Sequence, residues 1–330
     1  MSLSPSNRST VGGHAIQADR VFDGERWHGE AAVLVRDGRI VGVGSAGEVP
    51  ASWPQTRLPA GAFVAPGFID LQVNGGGGVL LNDQPTVVGM RAIARAHRRY
   101  GTTACLPTLI TDTREQLRTA IAAARSIAGQ DGVLGLHLEG PFISPRRAGV
   151  HRPDRIAKPD TGDLAELCEL AGAGRSLVTL APECVPDGFV RKLASSGVRV
   201  SIGHSEASAA VAMQAVSDGA TGVTHLFNAM RALSARDPGI IGVARGGSVD
   251  GRPHRRRIPY RSRFCSGGLR REGLQPDCSC HGCHADSRDI ARSFRASWPN
   301  YQACERKAEH GRGHARWRAP RYGFGGAQCG

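Results

Sequence analysis

Three short stretches of this chain place a carboxylate and two imidazoles where they could hold a divalent cation. They are His137-Leu138-Glu139-Gly140-Pro141, Gly203-His204-Ser205 and Thr224-His225-Leu226-Phe227-Asn228-Ala229-Met230. Each follows a short apolar run that reads as a buried strand: Val133 to Leu136, Val198 to Ile202, and Gly222 to Thr224. Carboxylate oxygen and imidazole nitrogen both suit zinc or iron. Three protein ligands leave a position open for water, as catalytic sites do and structural ones do not. Taken singly, a carboxylate at a strand end is more often capped or ion-paired, and a lone His more often satisfies a local hydrogen bond. Glu139, His204 and His225 together, from the ends of three strands, point to one bound divalent metal ion (Zn or Fe) and metal-assisted hydrolysis.

Strands alternating with helices must deliver these groups. From Ala65 onward the expected strands are 68–73, 103–106, 133–138, 177–180, 198–202 and 222–224, with helical stretches over 87–100, 113–127, 161–171 and 207–217. That alternation is the pattern of a parallel sheet or barrel, and a (β/α)8 barrel sets its active site at the strand C-terminal ends. Six strands are apparent where eight close a barrel. Before them, residues 15–49 alternate apolar and polar side chains about Asp-Gly turns, Asp23-Gly24 and Asp37-Gly38, which predicts a small β domain. The expected fold is therefore α/β: an incomplete (β/α)8 TIM-type barrel with a small N-terminal β-sandwich portion. Its parts are 1–65 (half of the β domain), 66–244 (barrel strands one to six) and 245–330. Gly75 to Gly78 reads as a barrel loop because no Lys-Ser/Thr follows to make a phosphate loop. His14, His28 and His97 read as surface residues.

Composition divides the chain at the same place. The formal net charge of +13 suggests nucleic acid until it is split: residues 245–330 hold 18 Lys/Arg against 7 Asp/Glu, leaving 24 against 22 for the rest. Six of the nine cysteines also lie beyond residue 244. The polar first dozen residues lack the apolar core of a signal peptide, and no apolar run reaches membrane-spanning length. The first 244 residues thus read as a cytoplasmic enzyme with reduced thiols and no nucleic-acid or membrane partner.

The sequence Pro66-Gly67-Phe68-Ile69-Asp70-Leu71-Gln72-Val73-Asn74-Gly75, then Leu106-Pro107-Thr108, then the Glu139, His204 and His225 motifs, resembles the N-acetylglucosamine-6-phosphate deacetylase family. That family lies within the amidohydrolase superfamily of metal-dependent barrel hydrolases, and the resemblance runs in order from about Val21 to Ala244. It implies that Glu139, His204 and His225 are the metal ligands. Gln72 and Asn74 stand where many amidohydrolases have a His-x-His pair, which implies a single-metal site. His151, with its neighbour Val150, matches a substrate-binding position. Asn228, Ala229 and Arg236 match the residues that hold the sugar phosphate, a role suited to a planar, permanently charged guanidinium. The implied reaction is deacetylation of N-acetylglucosamine-6-phosphate to glucosamine-6-phosphate and acetate in amino-sugar catabolism. A family-like homo-oligomer goes with it.

Two further family motifs should follow residue 244: an Asp-Gly-x-His strand end, then a Thr-Asp-Ala strand end carrying the catalytic Asp. Neither occurs. Yet the codons for Cys280 through Asp286, read one nucleotide later, permit Val-Thr-Asp-Ala-Met-Pro. The same shift over His254 through Tyr260 permits Ile-Ala-Asp-Gly-Phe-His-Ile. The chain is thus expected to leave its frame near Ala244, to carry no catalytic carboxylate and to be inactive as written. The tail's Cys278, Cys280, Cys283, His281 and His284 imitate a zinc cluster, and its arginines imitate a nucleic-acid patch. Two rival readings stay open. One is an amidohydrolase for a different amide, and the other is a non-catalytic metal- or nucleic-acid-binding protein built on the tail.

Overall fold

Asp37 and Gly38 turn the chain with φ of 51° and 69°, the left-handed pair that a two-residue hairpin between twisted strands requires. The turn joins β2 (Trp27–Arg36) to β3 (Arg39–Ser45), and a bulge after the Val35–Ile40 pair shifts their register. With β1 (His14–Phe22), β4 (Gln55–Arg57) and β5 (Phe63–Val64) they make one five-stranded sheet. Its order is β3-β2-β1-β4, with β5 also parallel to β1. Each face carries a small apolar cluster, Ala18, Val21, Ala31 and Val33 in one and Ala15, Ala32 and Val49 in the other. This computed structural model describes residues 12–234 and 236–245, all within one compact unit.

The six expected barrel strands form a single parallel sheet of order β13-β12-β11-β10-β9-β6. They are β6 (Phe68–Val73), β9 (Thr102–Ile110), β10 (His137–Glu139), β11 (Leu177–Leu180), β12 (Arg199–Ile202) and β13 (Gly222–Val223). Among the described residues the sheet ends at β6 and β13, an incomplete barrel. Between β6 and β9 a hairpin of β7 (Gly75–Gly76) and β8 (Val79–Leu80) replaces the expected plain loop. Among the described residues six helices cover the sheet or follow it: α1 (Val87–Arg98), α2 (Arg114–Ile127), α3 (Asp163–Cys168), α4 (Phe189–Ser195), α5 (Ala209–Ser217) and α6 (Gly239–Ala244). Thr86, Thr113 and Ser208 cap α1, α2 and α5 by accepting from the backbone N–H three residues on. Each of the two longest helices turns a stripe inward, Met90, Ile93 and Ala94 on α1 and Leu117, Ala120, Ile121 and Ala124 on α2, at the spacing of one helical face.

The largest correction concerns the run before Glu139. Val133 to Leu136 forms no strand, although Val133 and Leu136 are fully buried; Val133 makes only isolated bridges to Cys105 and Gln130. The strand is the short His137–Glu139, so Glu139 lies on it, not past it. At Gly135 the backbone passes so close to the Ala173 carbonyl that a Cβ would stand 2.6 Å from it, an approach that only glycine permits. β9 extends four residues past its expected end, α3 is shorter than expected, and α4 and α6 lie where no helix was expected. Two histidines taken for plain surface residues have partners: His28 Nε2 lies 2.6 Å from Asp23 Oδ2, and His97 Nε2 lies 3.0 Å from the Gly75 carbonyl. The expectations for residues 246–330, including their cysteine and arginine clusters, lie outside the described residues.

One layer of polar side chains crosses the inner face of the sheet from β6 to the end of β13. His137 Nδ1 lies 3.0 Å from the Leu71 carbonyl on β6, and its Nε2 lies 2.8 Å from Thr179 Oγ1 on β11. Thr179 Oγ1 is 2.7 Å from Thr224 Oγ1, just past β13, and that hydroxyl is 2.7 Å from Ser201 Oγ on β12. Thr108 on β9 joins through its hydroxyl, 3.4 Å from His137 Nδ1, which also accepts from the Val73 N–H. Burial holds the imidazole of His137 neutral, with its pKa lowered to about 4. A neutral ring donating at Nδ1 and accepting at Nε2 satisfies both neighbours.

Candidate metal centre

Immediately above that layer the strand ends deliver the predicted ligands. Glu139 is the last residue of β10 and is two residues beyond His137, so both face the interior. His204 and His225 follow β12 and β13 after Gly203 and Thr224. Both histidines have left-handed backbone, φ 48° and 34°, a conformation that costs a branched or bulky side chain about 1–3 kcal/mol and is held only by its surroundings. Their Nε2 atoms meet 2.9 Å apart, and each lies 3.0 Å from Glu139 Oε1.

The second nitrogen of each ring settles what the cluster can hold. His204 Nδ1 donates to the Arg147 carbonyl at 2.7 Å, and His225 Nδ1 donates to the Asn228 carbonyl at 3.0 Å. When both rings are neutral these bonds place the proton on Nδ1, and two bare Nε2 lone pairs and a carboxylate oxygen then converge on one point. Three acceptors without a proton between them repel unless a cation joins them, and backbone-oriented imidazole is the usual arrangement around metal-bound His. The donor set therefore fits a divalent ion. Glu139 is 3% exposed. Burial pushes its pKa up, but the adjoining imidazoles of His204 and His225 outweigh this and hold it well below the usual carboxylate range. Gln72 Nε2 donates to Glu139 Oε2 at 2.9 Å, so this amide orients the carboxylate. Asn74 contributes its carbonyl to the Leu81 N–H.

His151 completes a buried group with Glu139 and His204 whose ligand atoms lie within 4.8 Å of one another. Its chemistry differs from theirs. The Thr111 N–H donates to Nδ1 at 3.3 Å and the Thr111 hydroxyl lies 2.7 Å away. The neutral ring therefore carries its proton on Nε2, 3.9 Å from Glu139 Oε2. His151 offers a donor to the site where His204 and His225 offer acceptors. Burial lowers its pKa to about 4, keeping it neutral. Beside it, Val150 is exposed. Asn228 and Arg236 are exposed and Ala229 is half-buried with φ 50°. The described contacts do not bring Arg236 to the other four. Thr111 and Arg147 escaped sequence reasoning, because a hydroxyl and a carbonyl acting by hydrogen bonds leave no spacing signature.

The sequence profile of the amidohydrolase family matches residues 63–254, and that of an imidazolonepropionase-like composite domain of bacteria matches residues 31–55. N-acetylgalactosamine-6-phosphate deacetylase of Shewanella sp. ANA-3 is 42% identical over 219 residues, which are 64% of this chain and 55% of that protein. The crystal structure of N-acetylglucosamine-6-phosphate deacetylase from Pasteurella multocida superposes with a TM-score of 0.64 at 33% identity, covering 70% of this chain and 61% of that one. A mutant N-acetyl-D-glucosamine-6-phosphate deacetylase from Mycobacterium smegmatis, in complex with N-acetyl-D-glucosamine-6-phosphate, gives 0.61 at 34%, covering 70% and 60%. The chain thus spans between half and two thirds of the length of these proteins.

Proposed function

Because this chain belongs to the amidohydrolase family, we propose that its cluster is the metal centre of a deacetylase for N-acetylhexosamine 6-phosphates. The observation that carries this reading is the convergence of three bare acceptors, from Glu139, His204 and His225, beside the N–H of His151. Glu139, His204 and His225 would hold one Zn2+ or Fe2+. Such an ion activates water and polarises an amide carbonyl. Gln72 keeps the carboxylate turned inward, and His151 donates Nε2–H to the substrate beside the exposed Val150. Asn228, Ala229 and Arg236 are assigned to the phosphate, Arg236 by resemblance alone. The partner is a small sugar phosphate, in the cytoplasm and in a family-like homo-oligomer.

Proton transfer to the leaving amine needs a carboxylate that no Thr-Asp-Ala motif supplies here. We place it in the shifted frame beyond residue 244, so this chain binds the metal without turning over. Restoring the frame near codon 244 tests both statements. The repaired enzyme should release acetate from N-acetylglucosamine-6-phosphate and much less from the unphosphorylated sugar. A repaired enzyme that prefers the phosphate-free amide would overturn the phosphate assignment, and one that hydrolyses neither would overturn the function.

A further inference from the structure

We propose that Glu183, from the 3-10 turn Pro182–Cys184 that follows β11, is a positioning residue that sets both His204 and His225 without touching either. The inference rests on the metal-dependent reading above.

Its carboxylate clamps the turn directly after His204. Oε2 accepts from Ser205 Oγ at 2.6 Å, and Oε1 accepts from the Glu206 N–H at 2.5 Å. Both are charge-assisted bonds, about twice as strong as neutral ones. They fall on the two residues that follow a left-handed His204, where surrounding contacts must hold a backbone that is unfavourable in isolation. Ser205, fully buried, passes the constraint onward. Its N–H donates to the Ala229 carbonyl at 3.2 Å, and its carbonyl accepts from the Arg231 N–H at 3.1 Å. That segment closes the loop that begins at His225, whose Nδ1 donates to the Asn228 carbonyl. One carboxylate from the end of β11 therefore ties together the turns after β12 and β13, the two sources of imidazole. A second brace acts on the same turn: the Glu206 side chain pairs with Arg147, whose carbonyl accepts from His204 Nδ1.

Cobalt(II) titration of the full chain, after iodoacetamide has blocked accessible thiols, tests the role by affinity and by the visible absorption of bound cobalt. Glu183→Ala removes both bonds and should weaken binding about 10-fold, the low end of the loss when a direct partner of a metal ligand is removed, with a shifted spectrum. Glu183→Gln keeps an oxygen acceptor and should recover part of the affinity. Leu193→Ala, a buried change on α4, should lower the melting temperature while leaving cobalt affinity and spectrum unchanged. Wild-type affinity and spectrum in Glu183→Ala would overturn the proposal, as would an equal loss in Leu193→Ala. Failure of the metal reading shows separately: His204→Ala would then bind cobalt as tightly as the wild type.

Discussion

The polar layer centred on His137 predicts a stability coupling that ordinary packing would not produce. His137 is 1% exposed and Thr179 fully buried, with 2.8 Å between Nε2 and Oγ1. Replacing His137 by Leu roughly keeps the volume but takes the side-chain donor from the Leu71 carbonyl and leaves the Thr179 hydroxyl with Thr224 as its partner in a dry interior. At about 1–3 kcal/mol for a buried group left unpaired, and less for one that keeps a partner, the single change should cost about 2–4 kcal/mol. Thr179→Val alone strips a bond from His137 and from Thr224 and should cost about 2–4 kcal/mol on the same rule. In the double variant the His137–Thr179 pair is absent from both sides, so its orphan penalty is not counted twice. The double variant should be more stable than the sum of the singles by about 1–3 kcal/mol. Urea unfolding followed by far-ultraviolet circular dichroism at neutral pH gives the four free energies of the cycle. Additivity within about 0.5 kcal/mol would mean that the two side chains act as independent packing groups, and the hydrogen-bonded layer would then be a geometric coincidence.

Three further outcomes follow. His204→Ala should abolish tight binding of one metal ion per chain, read by elemental analysis after dialysis; metal content equal to wild type would remove Glu139, His204 and His225 as the ligand set. Burial raises the Cys105 thiol from 9.0 to about 12. Between those values the unfolded state loses a proton that the folded state keeps, so stability falls as pH rises through that window, by up to about 1.4 kcal/mol per unit. Cys105→Ala should flatten that slope in denaturant titrations, and an unchanged slope would refute it. Gly38→Ala should cost about 1 kcal/mol for its left-handed turn, which has open space for a methyl group. Gly174→Ala, whose Cβ would sit 2.2 Å from the Leu134 carbonyl, should cost several times more; equal melting temperatures would contradict the crowding around Gly174.

The cluster of Glu139, His204 and His225 was legible because strand ends carry chemistry in parallel sheets, and a carboxylate and two imidazoles at three such ends point to one place. The hairpin at Asp37-Gly38 was legible because its backbone conformation is demanded by twist. The run from Val133 to Leu136 misled for a physical reason: an apolar stretch of four is buried equally well as strand or as irregular chain, and periodicity cannot separate them. Helix α4 was missed because seven residues capped by a left-handed Gly188 carry no side-chain cap signal. The partner of His97 and the contacts of Thr111 and Glu183 depend on residues brought close only by the fold. Spacing along the chain holds no record of them.

The separation between Glu139 and His225 also has a consequence for how the chain comes into being. Their side chains meet although they stand 86 positions apart. A ligand gripped by both fastens that whole stretch as a cross-link would, restricting the unfolded chain by about 4–5 kcal/mol on a loop-entropy scale. On a ribosome, where N-terminal segments emerge first, the grip becomes available only once His225 has left the exit tunnel. Before then the nascent strands hold their alignment by their apolar packing and by the part of the polar layer that precedes Thr224. Metal capture would then act as a late lock on an already ordered sheet, and starving cells of the ion should lengthen the window in which the growing chain is open to proteases.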